Sequence, residues 1–485
     1  MRAPAGIVQR IRDALGVSRQ RARALTRSMG FDGAAGGRRL RNQGTLDLPL
    51  ASQVAARQTL ARRARYLEAN NGYAAAGVNA WASALVGCGI KPQSAHPDAA
   101  TRKAINEAFD RWTREADLDG LADFFGLQDL AARRMVVDGE IFVAFVHDGS
   151  GRLRLRLLDG EQVAGAYHTE LAAGSRIVAG VEFDTAGRRI AYHAWKQRPG
   201  LPIMPSLELM RLPAEDVLHV FKVTTPGQVR GVSWLASILM RLADLDALND
   251  AQIVRQKVAA LLAGFVTDPT GGAGGFDGAE DGRGNLDGGL EPGTLKVLPP
   301  GADIKFSDPA KIGQEAVEFI KVTAKEVAAG LGVPFEELTG DRSEGNYSSM
   351  RDGKLDFRRR AEAIQHSVIV NRFCDPVWRR WIATEILSGR LDAPGFERDP
   401  EPWFAVNWLP PKNDWVDPLK DAQAEILAIN AGLMSRRQAV AARGYDLEKL
   451  DAEIAQDRAD AAALGLDFNR PPPAPAAAPA QGAEA

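Results

Sequence analysis

The 485-residue sequence predicts an α+β protein whose helical and β regions are kept apart along the chain. Three observations predict it. Apolar residues recur at three- and four-residue steps from Ala51 to Val137, the period of a helix with one buried face. At Asp138-Gly139 the texture changes to β-branched and aromatic runs that last to about residue 225. At Gly231 helical periodicity returns, and it dominates to residue 465. A chain this long exceeds one ordinary core, so two to four domains are expected.

Residues 1–45 read as a flexible basic arm. Within 1–41 stand ten arginines, no lysine, and only Asp13 and Asp32 as acids. That composition mimics a transit peptide, but a bare arm able to reach phosphates or an acidic partner is the simpler reading. From Ala51 to about Val86 one helical pattern runs until Gly87 and Gly89 break it, and Lys91-Pro92 marks a turn. Further helical stretches cover 99–116 and 121–137.

EIFVAFVHD then reads as a strand, and GRLRLRLLD as a half-buried one alternating at period two. VAGVEFDTAGRRIAYHAW reads as a hairpin turning at Ala186-Gly187, and VLHVFKV as a further strand. Residues 139–225 are therefore expected to form a small antiparallel β unit. After Gly231 a long helix carries apolar residues on more than one face, which requires burial by its own fold or by neighbouring subunits.

Asp268 to Gly293 holds ten glycines and six acids and reads as flexible. TLKVLPPGADIKF is expected to fold as a hairpin closing around Pro299-Pro300-Gly301. Ala316, Ile320, Ala324, Val327 and Leu331 form one helical stripe, ended by Gly330, Gly332 and Pro334. Phe357, Ala361, Ile364 and Val368 form another, and Pro376 should kink or restart that helix. Residues 418–465 are helical by pattern, and PPPAPAAAPAQGAEA reads as a disordered tail.

Composition narrows the function. A 45% hydrophobic and 25% charged share is that of a soluble globular protein. A net charge of −2 argues against tight, salt-sensitive phosphate binding over a large face. Cys88 and Cys374 form no CxxC pair, so a reducing compartment, the cytoplasm, is expected. No apolar run of membrane-spanning length and no signal-peptide core is evident.

Catalytic signatures fail on spacing. Gly353-Lys354 resembles the end of a phosphate loop, but Ser348 stands where the first glycine is needed and Leu355 where Ser or Thr is needed. EADLDGLADFFG starts like a calcium loop and ends on Gly126 instead of a bidentate Glu, so a helix–helix turn is expected. The six histidines are scattered, with no HExxH pair. No GxSxG is present, and Ser348 and Ser349 have no local base. No catalytic residue, metal or cofactor is assigned, and the chain is expected not to be an enzyme.

Several stretches match one family in order. AAGLGVPFEELTGDRSEGNYSSMR resembles a signature of the lambda-type (lambda family) portal proteins of tailed bacteriophages. RRARYLEANNGYAAAGVNAWASALVGCGIKP resembles their N-terminal helix, and VLHVFKVTTPGQVRGVSWL their His-x-Phe … Pro-Gly-Gln-x-Arg-Gly segment. LEPGTLKVLPPGADIKFSDP resembles a hairpin of the family, and WLPPKNDWVDPLKDAQAEILAINAGLMSRRQAVAARGYDLE its C-terminal region. The long Gly/Asp-rich stretch and the tail depart from the pattern.

The resemblance implies a homo-oligomeric ring, typically of twelve copies, at one vertex of the capsid. Double-stranded DNA passes through its axis during packaging and ejection. Terminase large subunit docks during packaging and head–tail connector proteins afterwards, with major capsid and scaffold proteins around it and no membrane. It implies a virion location after assembly in the bacterial cytoplasm. The wing would be 46–233, stem helices 234–266 and 312–335, and the clip 267–311. A tunnel-type loop would be 336–350, the wing return 351–414, the crown 415–465 and the tail 466–485. Arg342, Glu344, Asn346, Tyr347, Ser348, Ser349 and Arg351 become candidates to face DNA or a neighbouring loop. Capping of the following helix by Asn346 and the serines is the alternative. Another phage capsid or tail subunit, or a packaging nuclease or ATPase, are the rival readings.

Overall fold

The structure is a computed structural model and describes residues 49–200, 208–260, 264–267, 279–280, 286–287, 303–306, 314–343, 347–411 and 418–466. Two compact units divide the chain, Met1–Ala55 and Ala56–Ala485. Of the first, residues 49–55 are described and are helical. The expected basic arm and the tail beyond Leu466 lie outside the described residues.

The first helical stretch is two helices, α1 (Pro49–Asn70) and α2 (Gly72–Leu85), where one pattern had been expected. The break falls at Asn71, whose side-chain oxygen accepts the Ala74 N–H at 3.0 Å. Asparagine bonds the start of a new helix better than it continues an old one, and Gly72 weakens the join. Strand β1 (Lys91–Ser94) and helices α3 (Ala99–Thr113) and α4 (Phe124–Asp138) follow. The calcium-loop-like run is the α3–α4 turn, and the Asp117 carboxylate accepts the N–H groups of Asp119, Leu121 and Ala122.

The β unit is antiparallel throughout, as expected, but it forms two sheets. Strands β2 (Glu140–His147), β3 (Leu153–Leu158) and β9 (Val217–Phe221) pair in the order β3-β2-β9. Between β3 and β9 the chain builds a meander of β4 (Thr169–Glu170), β5 (Arg176–Val178), β6 (Val181–Phe183), β7 (Arg189–Trp195) and β8 (Leu209–Pro213). Burial explains the two textures read from sequence. Central β2 is covered on both faces: Ile141 and Val143 join the helical core, while Phe142 and Ala144 pack on the second sheet. Edge strand β3 keeps alternation, with Arg154 and Arg156 turned outward.

Helix α5 (Leu239–Ala260) is followed by β10 (Gly264–Thr267), the short pair β11 (Ala279–Glu280) and β12 (Leu286–Asp287), and β13 (Asp303–Phe306). β13 pairs with β10, in register from Gly264↔Phe306 to Thr267↔Asp303. The expected first arm of a hairpin around Pro299-Gly301 lies outside the described residues. Helices α6 (Gln314–Leu331), α7 (Phe335–Thr339) and α8 (Tyr347–Ile364) come next. α8 then widens into a π-helical segment, Gln365–Cys374, and α9 (Asp375–Leu387) restarts with Pro376 in its first turn. Proline has no N–H to continue the preceding ladder, so the restart falls where the sequence placed it.

Helix α10 (Glu401–Phe404) leads to β14 (Val406–Leu409), which pairs with β1 across the length of the chain. Helices α11 (Pro418–Asn430), α12 (Arg436–Ala441) and α13 (Leu447–Ala463) close the fold. The main core is aromatic at its centre. Phe109 meets Trp112, Phe124, Trp378 and Trp381 with ring centroids 4.9–5.5 Å apart. Such offset and edge-on contacts add to the burial itself.

Candidate functional site

Helices α5 and α6 form an antiparallel hairpin that leaves the core. At its base, Ser237 Oγ donates to Gly330 O at 3.4 Å, and Arg241 pairs with Glu326 at 3.5 Å. Here Leu239, Leu242 and Leu245 of α5 meet the core together with Ala324, Val327, Ala328 and Leu331 of α6. The predicted stripe on α6 is thus buried only over its second half. Beyond Leu245 no described residue of α5 is fully buried, and none of residues 315–322 of α6 is either, although Ile320 still packs against the core. Large apolar side chains nevertheless occupy this outer part: Val254 is 57% exposed and Phe319 61%. Ile253, Val317 and Val322 are exposed beside them. Charges on the two helices nearly cancel, Arg241, Arg255, Lys257, Lys321 and Lys325 standing against Asp244, Asp246, Asp250, Glu315, Glu318 and Glu326.

Trp81 locks the base. Its Nε1–H donates to Leu331 O at 3.0 Å, satisfying a carbonyl at the end of α6. Its ring stands edge-on to Trp234 and Phe357 at 5.0 and 4.9 Å. Gly332 follows in the left-handed region, φ 78°, and turns the chain into α7.

The predicted loop residues follow α7. Gly340 caps that helix in the left-handed region, and Asp341 accepts the Ser343 N–H at 2.9 Å. Asp341 also faces Lys321 of α6 at 3.7 Å, which ties the loop to the hairpin. Arg342 is exposed. A cleft of about 190 Å³ beside it is lined by Arg342, Glu336, Glu337, Arg351 and Lys354. Arg351 is half-buried and pairs with Asp421 of α11 at 3.2 Å, so it links the loop's far side to the C-terminal helices. Tyr347, Ser348 and Ser349 lie in the first turn of α8, which starts earlier than the expected Arg351. Glu344 and Asn346 lie outside the described residues. Gly353-Lys354 sits inside α8, a helix and not a phosphate-binding loop.

A buried carboxylate organises the start of β2 and the segment 228–231 that crosses it. Glu140, the first residue of β2, is fully inaccessible and receives five donors. Arg57 Nη1 donates at 2.9 Å, Arg230 Nε at 2.8 Å and Nη2 at 2.6 Å, and the Gly231 N–H at 2.7 Å. His219 Nε2 lies 2.9 Å away on the second oxygen. The two guanidiniums hold the Glu140 carboxyl well below the usual range despite its burial. Burial pushes the His219 pKa down as well, to about 3, so the ring is neutral. A neutral ring donating from Nε2 accepts at Nδ1, where Arg189 Nη1 stands at 2.7 Å. Gln228 closes the ring of contacts by donating to Arg230 O at 2.9 Å and accepting the Thr224 N–H at 2.8 Å. A Cβ on Gly231 would lie 2.1 Å from Gly139 O, so this crossing of backbones needs glycine. His219, Gln228, Arg230 and Gly231 all belong to the segment read as VLHVFKVTTPGQVRGVSWL.

Residues 36–365 match the family described as phage portal protein, lambda family. The chain belongs to that family. The probable portal protein of Halomonas phage phiHAP-1 is 26% identical over 422 residues, covering 82% of this chain and 80% of that protein. Portal protein B of Escherichia phage lambda is 23% identical over 379 residues, covering 70% of this chain and 69% of that protein. Among solved structures, the neck of a native GTA particle computed with C12 symmetry is 15% identical, covers 81% of this chain and 94% of that one, and superposes with a TM-score of 0.48. This portal protein is a structural component of the phage virion.

In the portal protein, the matched span holds both the hairpin and the Glu140 network. Sequence reasoning expected helices here, and helices Leu239–Ala260 and Gln314–Leu331 are present, but it did not single out Arg57, Glu140 or their partners. One signal was present: Glu140 opens an otherwise apolar run, EIFVAFV, that is too hydrophobic to face water. Among the described residues no helix is long and apolar enough to cross a membrane, and no cluster of His, Cys, Asp and Glu is close enough to hold a metal ion.

Proposed function

We propose that this portal protein closes into a homo-oligomeric ring around an axial channel through which double-stranded DNA is packaged and ejected. The observation that carries this reading is the projecting hairpin, whose outer half exposes large apolar residues that a single chain leaves uncovered. Large apolar side chains exposed along one element mark an interaction surface, and identical neighbours in a closed ring would cover it. The hairpin would be the stem, 234–266 with 312–335, and the clip would be 267–311 at its far end. The wing would be 46–233 with its return 351–414, and the crown 415–465. Twelve copies is the number implied by the family.

Near-neutrality of the hairpin suits a conduit. Each phosphate fixed by a cation adds affinity through counterion release, and a strongly basic lining would hold DNA instead of letting it slide. The loop 336–350, tied to the stem by Lys321 and Asp341, would reach toward the axis and touch DNA or a neighbouring loop without reacting. Terminase large subunit and head–tail connector proteins would dock at the clip end, and capsid and scaffold proteins around the wing, during assembly in the host cytoplasm. Negative-stain imaging and native mass spectrometry of the purified protein test this. A closed ring with a channel wide enough for duplex DNA is expected, and a monomer at every salt concentration would refute it. A channel potential strongly positive along its whole length would refute the sliding argument.

A further inference from the structure

Helices α11 to α13 sit on the body of the chain without joining its core. Among the described residues of 418–466, Ala439 and Ala461 alone are buried. Neither belongs to an apolar cluster, and no side chain beyond Trp408 packs against one. Leu419, Ile426 and Leu427 of α11 and Leu433 after it are exposed. What crosses to the body is charge. Arg102 of α3, braced by His96 O at 2.8 Å and Pro97 O at 3.0 Å, donates from Nη2 to Glu448 Oε1 of α13 at 2.9 Å. Lys449 Nζ reaches Asp110 Oδ2 of α3 at 2.6 Å. Arg351 of α8 pairs with Asp421 of α11 at 3.2 Å. A cleft of about 440 Å³ remains between the two sides, lined by Asn106 and Arg114 on one and by Tyr445 and Glu453 on the other. Within 418–466 the helices are tied to one another. Arg436 binds Asp451 through both terminal nitrogens at 2.9 and 2.6 Å, and Arg443 binds Glu425 at 2.6 Å.

We infer that residues 418–466 form an arm clasped onto the body by these ion pairs, and that the arm opens as a unit when charge is screened. The inference stands apart from the ring reading. An interface of buried apolar side chains would tighten or hold in salt, but this one has none to hold it. Its pairs lie in water: Lys449 and Asp110 are 53% and 58% exposed. An exposed pair shifts a closed-to-open ratio by roughly fivefold at most. Screening then removes it, because the distance over which charges are felt falls from about 10 Å at 0.1 M salt to about 3 Å at 1 M. The cleft is the seam along which arm and body part. On the body side β14 stays pinned to β1, from Lys91↔Leu409 to Ser94↔Val406, so the body keeps its geometry when the arm leaves.

Two spin labels on the full chain test it, one on the exposed Cys88 and one on Ala455→Cys of α13; the buried Cys374 stays unlabelled. Labelled chains are diluted among chains whose thiols carry a non-magnetic cap, so that double electron–electron resonance reads the distance within one copy. At low salt one narrow distance is expected. A longer, broader one should grow in as salt rises toward about 1 M. Lys449→Glu sets like charges against each other across the seam, and should raise the open population roughly fivefold at low salt. Combining it with Asp110→Lys restores an opposite pair and should close the arm again. Circular dichroism is recorded alongside and should show unchanged helix content throughout. A distance that stays fixed at every salt and in Lys449→Glu would overturn the clasp. So would a double variant that stays open, since Lys449→Glu would then act by something other than the pair. Lengthening accompanied by loss of helix would mean that the arm melts instead of swinging, and would overturn it too.

Discussion

Replacing Glu140 with Gln changes one oxygen to an NH2 in a site with 0% accessibility and five donors. The shape is conserved, so the effect isolates charge and hydrogen bonding. The amide must turn its NH2 toward at least one N–H, and Arg57 and Arg230 lose their only described carboxylate. Breaking a buried ion pair from one side costs about 3–5 kcal/mol. That is a large fraction of the roughly 5–15 kcal/mol that holds a folded domain. Urea unfolding at neutral pH should show a lower midpoint at unchanged slope. A Glu140→Gln loss below about 1 kcal/mol would refute the reasoning.

Three further outcomes are expected. Unfolded, His219 takes up a proton near pH 6.5, whereas folded it stays neutral to about pH 3, so the unfolded chain binds one more proton in that window and acid weakens the fold. His219→Gln should therefore flatten the loss of stability between those pH values by up to about 1.4 kcal/mol per unit, read from urea midpoints at several pH values; an unchanged slope would place the titration elsewhere. Gly231→Ala brings a methyl group 2.1 Å from Gly139 O and 2.6 Å from Gly139 C, backbone atoms that cannot swing aside, so the variant should express as insoluble or unfolded protein by circular dichroism; a normally folded variant would show that the two backbone segments separate freely there. Replacing Arg342 and Tyr347 together with Ala should leave rings intact and lower DNA retention in a packaging assay; intact packaging with broken rings would make the loop a structural element.

Local periodicity carried most of the fold. The stripe Ala316–Leu331 and the restart at Pro376 were legible because each depends on neighbours within a few residues. Non-local pairing was not. Alternation marks which face of a strand is wet, not which strand lies beside it, so 139–225 read as one unit although β9 leaves the meander to join β2. The same limit hid β13 on β10, whose partners are separated by the glycine-rich stretch. Asn71 escaped because the apolar phase on either side suits a helix. Of the site, position along the chain was legible, and convergence was not. Nothing local to Arg57, His219 or Arg230 says that these three residues meet at the two oxygens of Glu140.

The pairing of β10 with β13 has an engineering consequence. Residues 267 and 303 leave and re-enter as neighbours across a ladder, so whatever lies between them begins and ends at one place on the molecule. Lengthening a tether anchored that way costs little, about 0.6 kcal/mol for each doubling. An affinity tag or a fluorescent domain grafted between 268 and 302 is therefore a graft onto a handle, and evolution can lengthen, shorten or exchange that segment while the rest of the chain keeps its geometry.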